Sequence, residues 1–159
     1  MTLTDEEKRR RKVQRTLERF KELRLGTCIN QTALLFQKLV KLRALRPDGK
    51  LTCCSCGRRD YPGKHFHGGH WIGRSKKAVI FDPRNCHPQC ALCNKFGLGA
   101  VKANYDEFMR RTYGQEVMDE LKRLGNTTKQ WTKDELAELY VGYREEINEI
   151  EKTRRFLSF

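Results

Sequence analysis

The chain has 159 residues, with 33 Lys and Arg against 20 Asp and Glu, a formal net charge of +13. That length suits a single compact domain with helical extensions, and the positive excess favours a polyanionic partner such as nucleic acid over a merely solvated basic surface. No apolar run approaches about 18 residues and no secretory pattern is present, so no membrane role is expected. A cytoplasmic, reducing setting is expected instead, in which the seven cysteines read as metal ligands rather than disulfides.

Residues 4 to 46 read as helical. Thr4-x-x-Glu7 has the form of a capping box, and Val13, Leu17 and Phe20 fall on one stripe of the helix that follows. Lys8, Arg9, Arg10, Arg11, Lys12 and Arg15 occupy its other face, which lies either in solvent or along phosphates. Gly26 is expected to break this helix. A second helix, near residues 30 to 45, carries Leu35, Phe36, Leu39, Val40 and Leu42, a face wide enough for core packing. Pro47, Asp48 and Gly49 end it. Residues 1 to 49 thus form a basic helical N-terminal region.

Residues 50 to 103 form the expected centre of the protein. Six of the seven cysteines and all four histidines lie between Cys53 and Cys93. Short strands are expected around residues 64 to 72 and 77 to 81, joined by a turn at 73 to 76. A helix is expected to begin at the second cysteine pair. Residues 104 to 159 read as helical again. Tyr105, Phe108, Met109 and Tyr113 repeat up to Gly114, and Val117, Leu121 and Leu124 up to Gly125. Thr132-x-x-Glu135 is a second capping box. Behind it Leu136, Tyr140, Tyr143, Ile147 and Ile150 form a seam for another helix, of this chain or of a second copy.

Cys53-x-x-Cys56 and Cys90-x-x-Cys93 carry the strongest local signal. Two residues between ligands let one tight turn present both sulfurs to one ion, so four thiolates at this spacing suit tetrahedral zinc. Cys54 and Cys86 could substitute in the ligand set, but the spacing favours the other four. Cys28 lies far off and is expected to pack among the helices. A zinc with four sulfur ligands is coordinatively full and holds a fold rather than performing chemistry.

Chemistry must then come from the segment between the pairs. A strand–strand–helix unit would converge His70, Asn85 and Asn94 on one patch. A neutral imidazole beside oxygen-rich ligands suits metal-assisted phosphodiester hydrolysis with Mg²⁺ or Mn²⁺. Taken singly, each of these residues reads as a structural histidine or a turn-forming asparagine.

The stretches GGHWIGR, FDPRNCHPQCALCN, NYDEFMRRTYGQEVMDEL and QWTKDELAELY, in that order, resemble the NinG/Rap recombination proteins of lambda-like phages. These in turn look like relatives of the HNH, or ββα-metal, endonucleases. The resemblance covers roughly residues 28 to 150. It implies an α+β fold: a zinc-stabilised ββα-metal finger at residues 50 to 103 between helices at 1 to 49 and 104 to 159. It further implies a structure-selective DNA endonuclease acting on Holliday junctions and displacement loops in a bacterial host. Under it His70 is the general base, Asn85 orients that histidine and its loop, and Asn94 is a ligand of the catalytic metal. His87 would contact metal or the scissile phosphate, and the four knuckle cysteines would hold the zinc.

The pattern is broken in places. Many HNH enzymes carry an acidic ligand immediately before the first histidine, where this chain has Gly69; His67 is the weaker candidate for that ligand. Gly97 stands where a lysine is common. DNA contacts are expected from Arg74, Lys76 and Lys77 on the turn after His70, and from Arg9, Arg10, Arg11 and Lys12. The expected partners are branched DNA, a second copy of the chain and other recombination proteins. Two rival readings are a non-catalytic zinc module that binds DNA and a sequence-specific HNH enzyme.

Overall fold

The computed structural model describes residues 3–63, 65–96 and 100–156. In chain order the elements are α1 (Asp5–Lys21), α2 (Leu25–Arg43), β1 (Leu51–Thr52), β2 (Arg59–Asp60), β3 (Phe66–His70) and β4 (Cys86–Cys90), then α3 (Ala91–Phe96), α4 (Ala100–Gly125) and α5 (Lys133–Phe156). Two short 3-10 turns, Lys77–Val79 and Pro83–Asn85, lie between β3 and β4. Among the described residues no helix is long and apolar enough to cross a membrane. The chain forms two compact units, one of Met1–Leu39 with Trp131–Phe159, the other of Val40–Gln130.

The first unit is helical. Both expected capping boxes form. Glu7 N–H donates to Thr4 Oγ1 at 3.2 Å while Thr4 N–H donates to Glu7 at 2.7 Å, and Thr132 and Glu135 repeat the exchange at the start of α5. Each box satisfies two backbone donors that a helix start leaves orphaned. Gly26 does not break the first helix: α1 ends at Lys21 and Gly26 lies in the first turn of α2. The reversal occurs at residues 22 to 24, where Leu23 N–H returns to Phe20 O.

The α5 seam is filled from within the chain. Phe20 meets Tyr140 edge-on at 5.6 Å and Phe36 lies 5.4 Å from Tyr143, with Leu136, Ala137, Val141 and Ile147 buried beside them. Cys28 is buried in this unit, its Sγ 3.6 Å from Phe20 O.

The second unit holds two small antiparallel ladders. β1 and β2 pair Leu51 with Asp60 and Thr52 with Arg59. β3 and β4 pair in a regular register from Phe66↔Cys90 to His70↔Cys86. The strand expected at residues 77 to 81 is therefore absent. Lys77–Val79 is a 3-10 turn and the partner of β3 is β4, beginning at Cys86. A helix does follow directly, with Cys93 in its first turn.

Two cores support this hairpin. Leu51, Cys53, Phe66, Cys90 and Cys93 cluster on the cysteine side. Trp71, Val79, Tyr105, Met109, Met118 and Leu121 cluster against α4. α4 is interrupted at Gly114 (φ 82°, ψ 168°), a backbone conformation that L side chains rarely adopt.

Candidate functional site

The two cysteine pairs meet. Gly57, at φ 71°, closes the first knuckle by donating its N–H to Cys53 O at 2.9 Å. The β3–β4 pairing then brings Cys90 alongside, where its N–H donates to Cys53 Sγ at 3.3 Å. The Sγ atoms of Cys53, Cys56, Cys90 and Cys93 all lie within 4.8 Å of one another. The Cys56–Cys90 separation is 3.8 Å, and a tetrahedron with zinc–sulfur bonds of about 2.3 Å has edges of about 3.8 Å. These four cysteines are positioned to bind a metal such as zinc. Burial pushes the Cys53 and Cys93 thiols up, so thiolates here call for the charge of a bound cation. Cys54 and Cys86 stand outside the quartet, and burial pushes both up to about 12.

Asn85 is fully buried. Its Oδ1 accepts from Ile72 N–H at 2.8 Å, and its Nδ2 donates to Ile72 O and Val79 O at 3.0 Å each. One carboxamide thus stitches the exit of β3 to the following 3-10 turn. The next carbonyl, Ile80 O, lies 2.9 Å from Nε2 of His70. A carbonyl only accepts, so His70 carries its hydrogen on Nε2 and, when neutral, a lone pair on Nδ1. Burial, with Arg74 nearby, lowers the His70 pKa and favours that neutral form.

Asn94, on α3, reaches β3 at a different residue: its Nδ2 lies 2.8 Å from Nδ1 of His67. The His67–Asn94 pair offers one imidazole and one amide. It fits a divalent ion only as a partial shell, to be completed by phosphate oxygens and water. Among the described residues no second group of His, Cys, Asp and Glu clusters tightly enough to hold a metal. Gly69 cannot supply an acid: a Cβ there would lie 2.2 Å from Gln89 Oε1 and 2.9 Å from Gln89 Cβ. Gln89 is itself buried and tied to Ser55 at 2.8 Å. Gly97 lies outside the described residues.

His87 is turned into the fold. Nδ1 lies 3.0 Å from the Tyr105 hydroxyl and Nε2 2.9 Å from that of Tyr113, with the Phe108 ring 4.9 Å away. Both ring nitrogens of His87 thus lie against α4 hydroxyls, not toward metal or phosphate as the resemblance implied. Arg84 binds Asp82 and reaches Glu120 on α4 at 2.9 Å, which anchors the turn that carries Asn85. Tyr105, Tyr113, Asp106 and Arg84 escape a reading by residue type. The aromatics repeat at helical spacing, which signals core, and the histidine they grip lies 18 residues from the nearer of them.

Among the expected DNA contacts, Lys76 is exposed while Arg74 and Lys77 are half-buried. Lys76 donates to Asn126 at 3.1 Å and Lys77 to Arg74 O at 3.2 Å. The N-terminal basic face is largely engaged in ion pairs. Arg9 pairs with Glu138 at 2.8 Å, Lys12 with Glu145 at 2.8 Å and Arg10 with Glu6. Arg11 is exposed.

The profile of the family described as Bacteriophage Lambda NinG protein matches residues 2–153. Protein ninG of Escherichia phage 933W is 29% identical over 108 residues, covering 67% of this chain and 52% of that protein. Protein ninG of Escherichia phage lambda is 28% identical over 108 residues, covering 67% and 51%. The chain therefore spans about half the length of these relatives. No solved structure matches it.

Proposed function

The chain belongs to the Bacteriophage Lambda NinG protein family, and from that premise we propose that it is a zinc-stabilised DNA endonuclease of HNH type that cuts branched intermediates. The observation that carries this reading is His70, whose Nε2 lies against the Ile80 carbonyl and whose neutral ring keeps a basic Nδ1. That nitrogen takes a proton from water as the water oxygen attacks phosphorus. The bond from phosphorus to the leaving sugar oxygen breaks, and solvent protonates the departing oxygen. Asn85 ties down Val79, the residue before the one whose carbonyl meets His70. Asn94 and His67 would hold a divalent ion, Mg²⁺ or Mn²⁺, which when bound stabilises charge on the phosphate. Arg74, Lys76 and Lys77 would grip the backbone without reading bases.

A four-way junction has two strands to cut, so two copies per junction are the natural stoichiometry. The α5 seam is occupied within the chain, and the contact between copies must use another surface. A second reading, a zinc module that binds DNA without cutting it, draws support from the lack of any carboxylate in the His67–Asn94 pair.

One experiment separates them. The parent and His70→Ala proteins, matched for zinc content and DNA affinity, are incubated with a four-way junction and a linear duplex of the same sequence, plus Mg²⁺ or Mn²⁺. The parent should cut the junction faster than the duplex, and His70→Ala should lose at least about a hundredfold in rate. Equal cutting of both substrates would remove the branched-DNA claim. Cutting by the alanine protein at the parental rate, or none by the parent, would leave the binding module.

A further inference from the structure

The two residues flanking His70 are gripped by consecutive residues of α4. The Tyr105 hydroxyl donates to Gly69 O at 2.8 Å, and Trp71 Nε1 donates to Asp106 Oδ1 at 2.6 Å. A phenol has a single hydrogen, and that of Tyr105 is committed to the Gly69 carbonyl. Toward Nδ1 of His87, 3.0 Å away, Tyr105 can therefore only accept, which places the His87 hydrogen on Nδ1. Burial, with His70 adding to it, lowers His87 to about 4, so the ring is neutral and Nε2 bears its lone pair. The Tyr113 hydroxyl, 2.9 Å from Nε2, must then be the donor.

The bonds therefore run in one direction: Tyr113 to His87, His87 to Tyr105, Tyr105 to the backbone carbonyl directly before His70. Cys54 lies against the same Tyr105 hydroxyl. A cysteine sulfur is a weak acceptor beside a backbone carbonyl, so it does not draw the hydrogen from Gly69. A chain of bonds in which each donor polarises the next is stiffer than its separate links.

We propose that Tyr105, backed by His87 and Tyr113, is a positioning device that fixes the register of β3 and thereby the aim of the His70 imidazole. Its catalytic consequence rests on the nuclease reading above; its geometric consequence does not. None of the three residues acts on DNA.

The test uses the zinc-loaded, ¹⁵N-labelled full chain as parent, Tyr105→Phe and Tyr113→Phe. Long-range proton–nitrogen spectra of the histidine rings are recorded beside junction cleavage with Mn²⁺. In the parent, His87 should carry its hydrogen on Nδ1. Tyr105→Phe should move it to Nε2 and displace the His70 signals while those of His65 stay in place. Its kcat should fall between about tenfold and a hundredfold with KM held within about twofold, as expected for a misaimed rather than a missing group. Tyr113→Phe should retain the His87 tautomer and lose less rate.

An Nε2-protonated His87 in the parent, or unmoved His70 signals in zinc-loaded Tyr105→Phe, would overturn the proposal. Should Tyr105→Phe lose its zinc, Tyr113→Phe decides: displaced His87 and His70 signals uphold the relay, and unchanged ones refute it. If the parent cuts no DNA, the nuclease reading fails while the His70 signals still judge the positioning claim.

Discussion

At the scale of single residues, the decisive chemistry is a matter of which nitrogen holds a hydrogen. His70 was identifiable as a candidate from its place in GGHWIGR. Its partner was not, because a backbone carbonyl ten residues on leaves no trace in side-chain types. The environment of that imidazole predicts a pH profile. Burial lowers its pKa below the ordinary 6.5, so the neutral ring that the proposed mechanism needs persists into mildly acidic solution. Cleavage should be at its plateau at neutral pH and fall only as the pH drops through a midpoint below 6.5. The variation of kcat/KM with pH on a junction measures it, and a midpoint above the ordinary histidine value would contradict a desolvated base. Gly69 illustrates the opposite case. Its lack of an acid looked like a gap in the metal site, yet Gln89 fills the space a side chain would need.

At the scale of elements, what was legible was local. Both capping boxes and the knuckle spacing rest on residues within three positions of each other, so a single chain displays them. The second strand of the hairpin was hidden for two reasons. β4 is buried along its whole length and so shows no alternation, and it contains Pro88, a residue that speaks against a paired strand. The apolar run from Ala78 to Phe81 looked more strand-like, but its carbonyls at Val79 and Ile80 are met by Asn85 and His70 rather than by a neighbouring strand. The hairpin depends on the cysteine quartet, because Phe66, Leu51 and the sulfurs form one small core. Stripping the metal with a chelator should therefore melt the β1–β4 region while the helices of the first unit persist. Hydrogen exchange would follow this region by region. Full protection of the β3 and β4 amides in metal-free protein would show that the sulfurs are not the clamp.

At the scale of the whole molecule, charge is unevenly shared. Residues 40–130 hold 18 Lys and Arg against 8 Asp and Glu, a net of +10 out of the chain's +13. Composition favours a polyanionic partner but does not say which surface would meet it. The basic run at residues 8 to 12 is the most conspicuous in the sequence, yet acidic residues of α5 answer it. Exposed pairs of this kind contribute little stability each, but they lower the local field available to phosphates. Replacing Lys76 and Lys77 with alanine should reduce the slope of log affinity against log salt by about 2. Replacing Arg9 and Lys12 should leave that slope unchanged. Titrations of a labelled junction across salt concentrations read both, and a larger loss from the second pair would return the contact surface to α1.

Gly114 divides α4 into two arms. The arm before it carries Tyr105 and Asp106, which hold β3, and the arm after it carries Glu120, which holds Arg84 beside Asn85. Both rails of the hairpin thus hang from a single joint whose bend is set by one backbone conformation. Any residue with a β-carbon would straighten or twist that joint and draw the rails out of step. The cysteine quartet lies outside α4, so such a change should be felt in alignment rather than in metal binding.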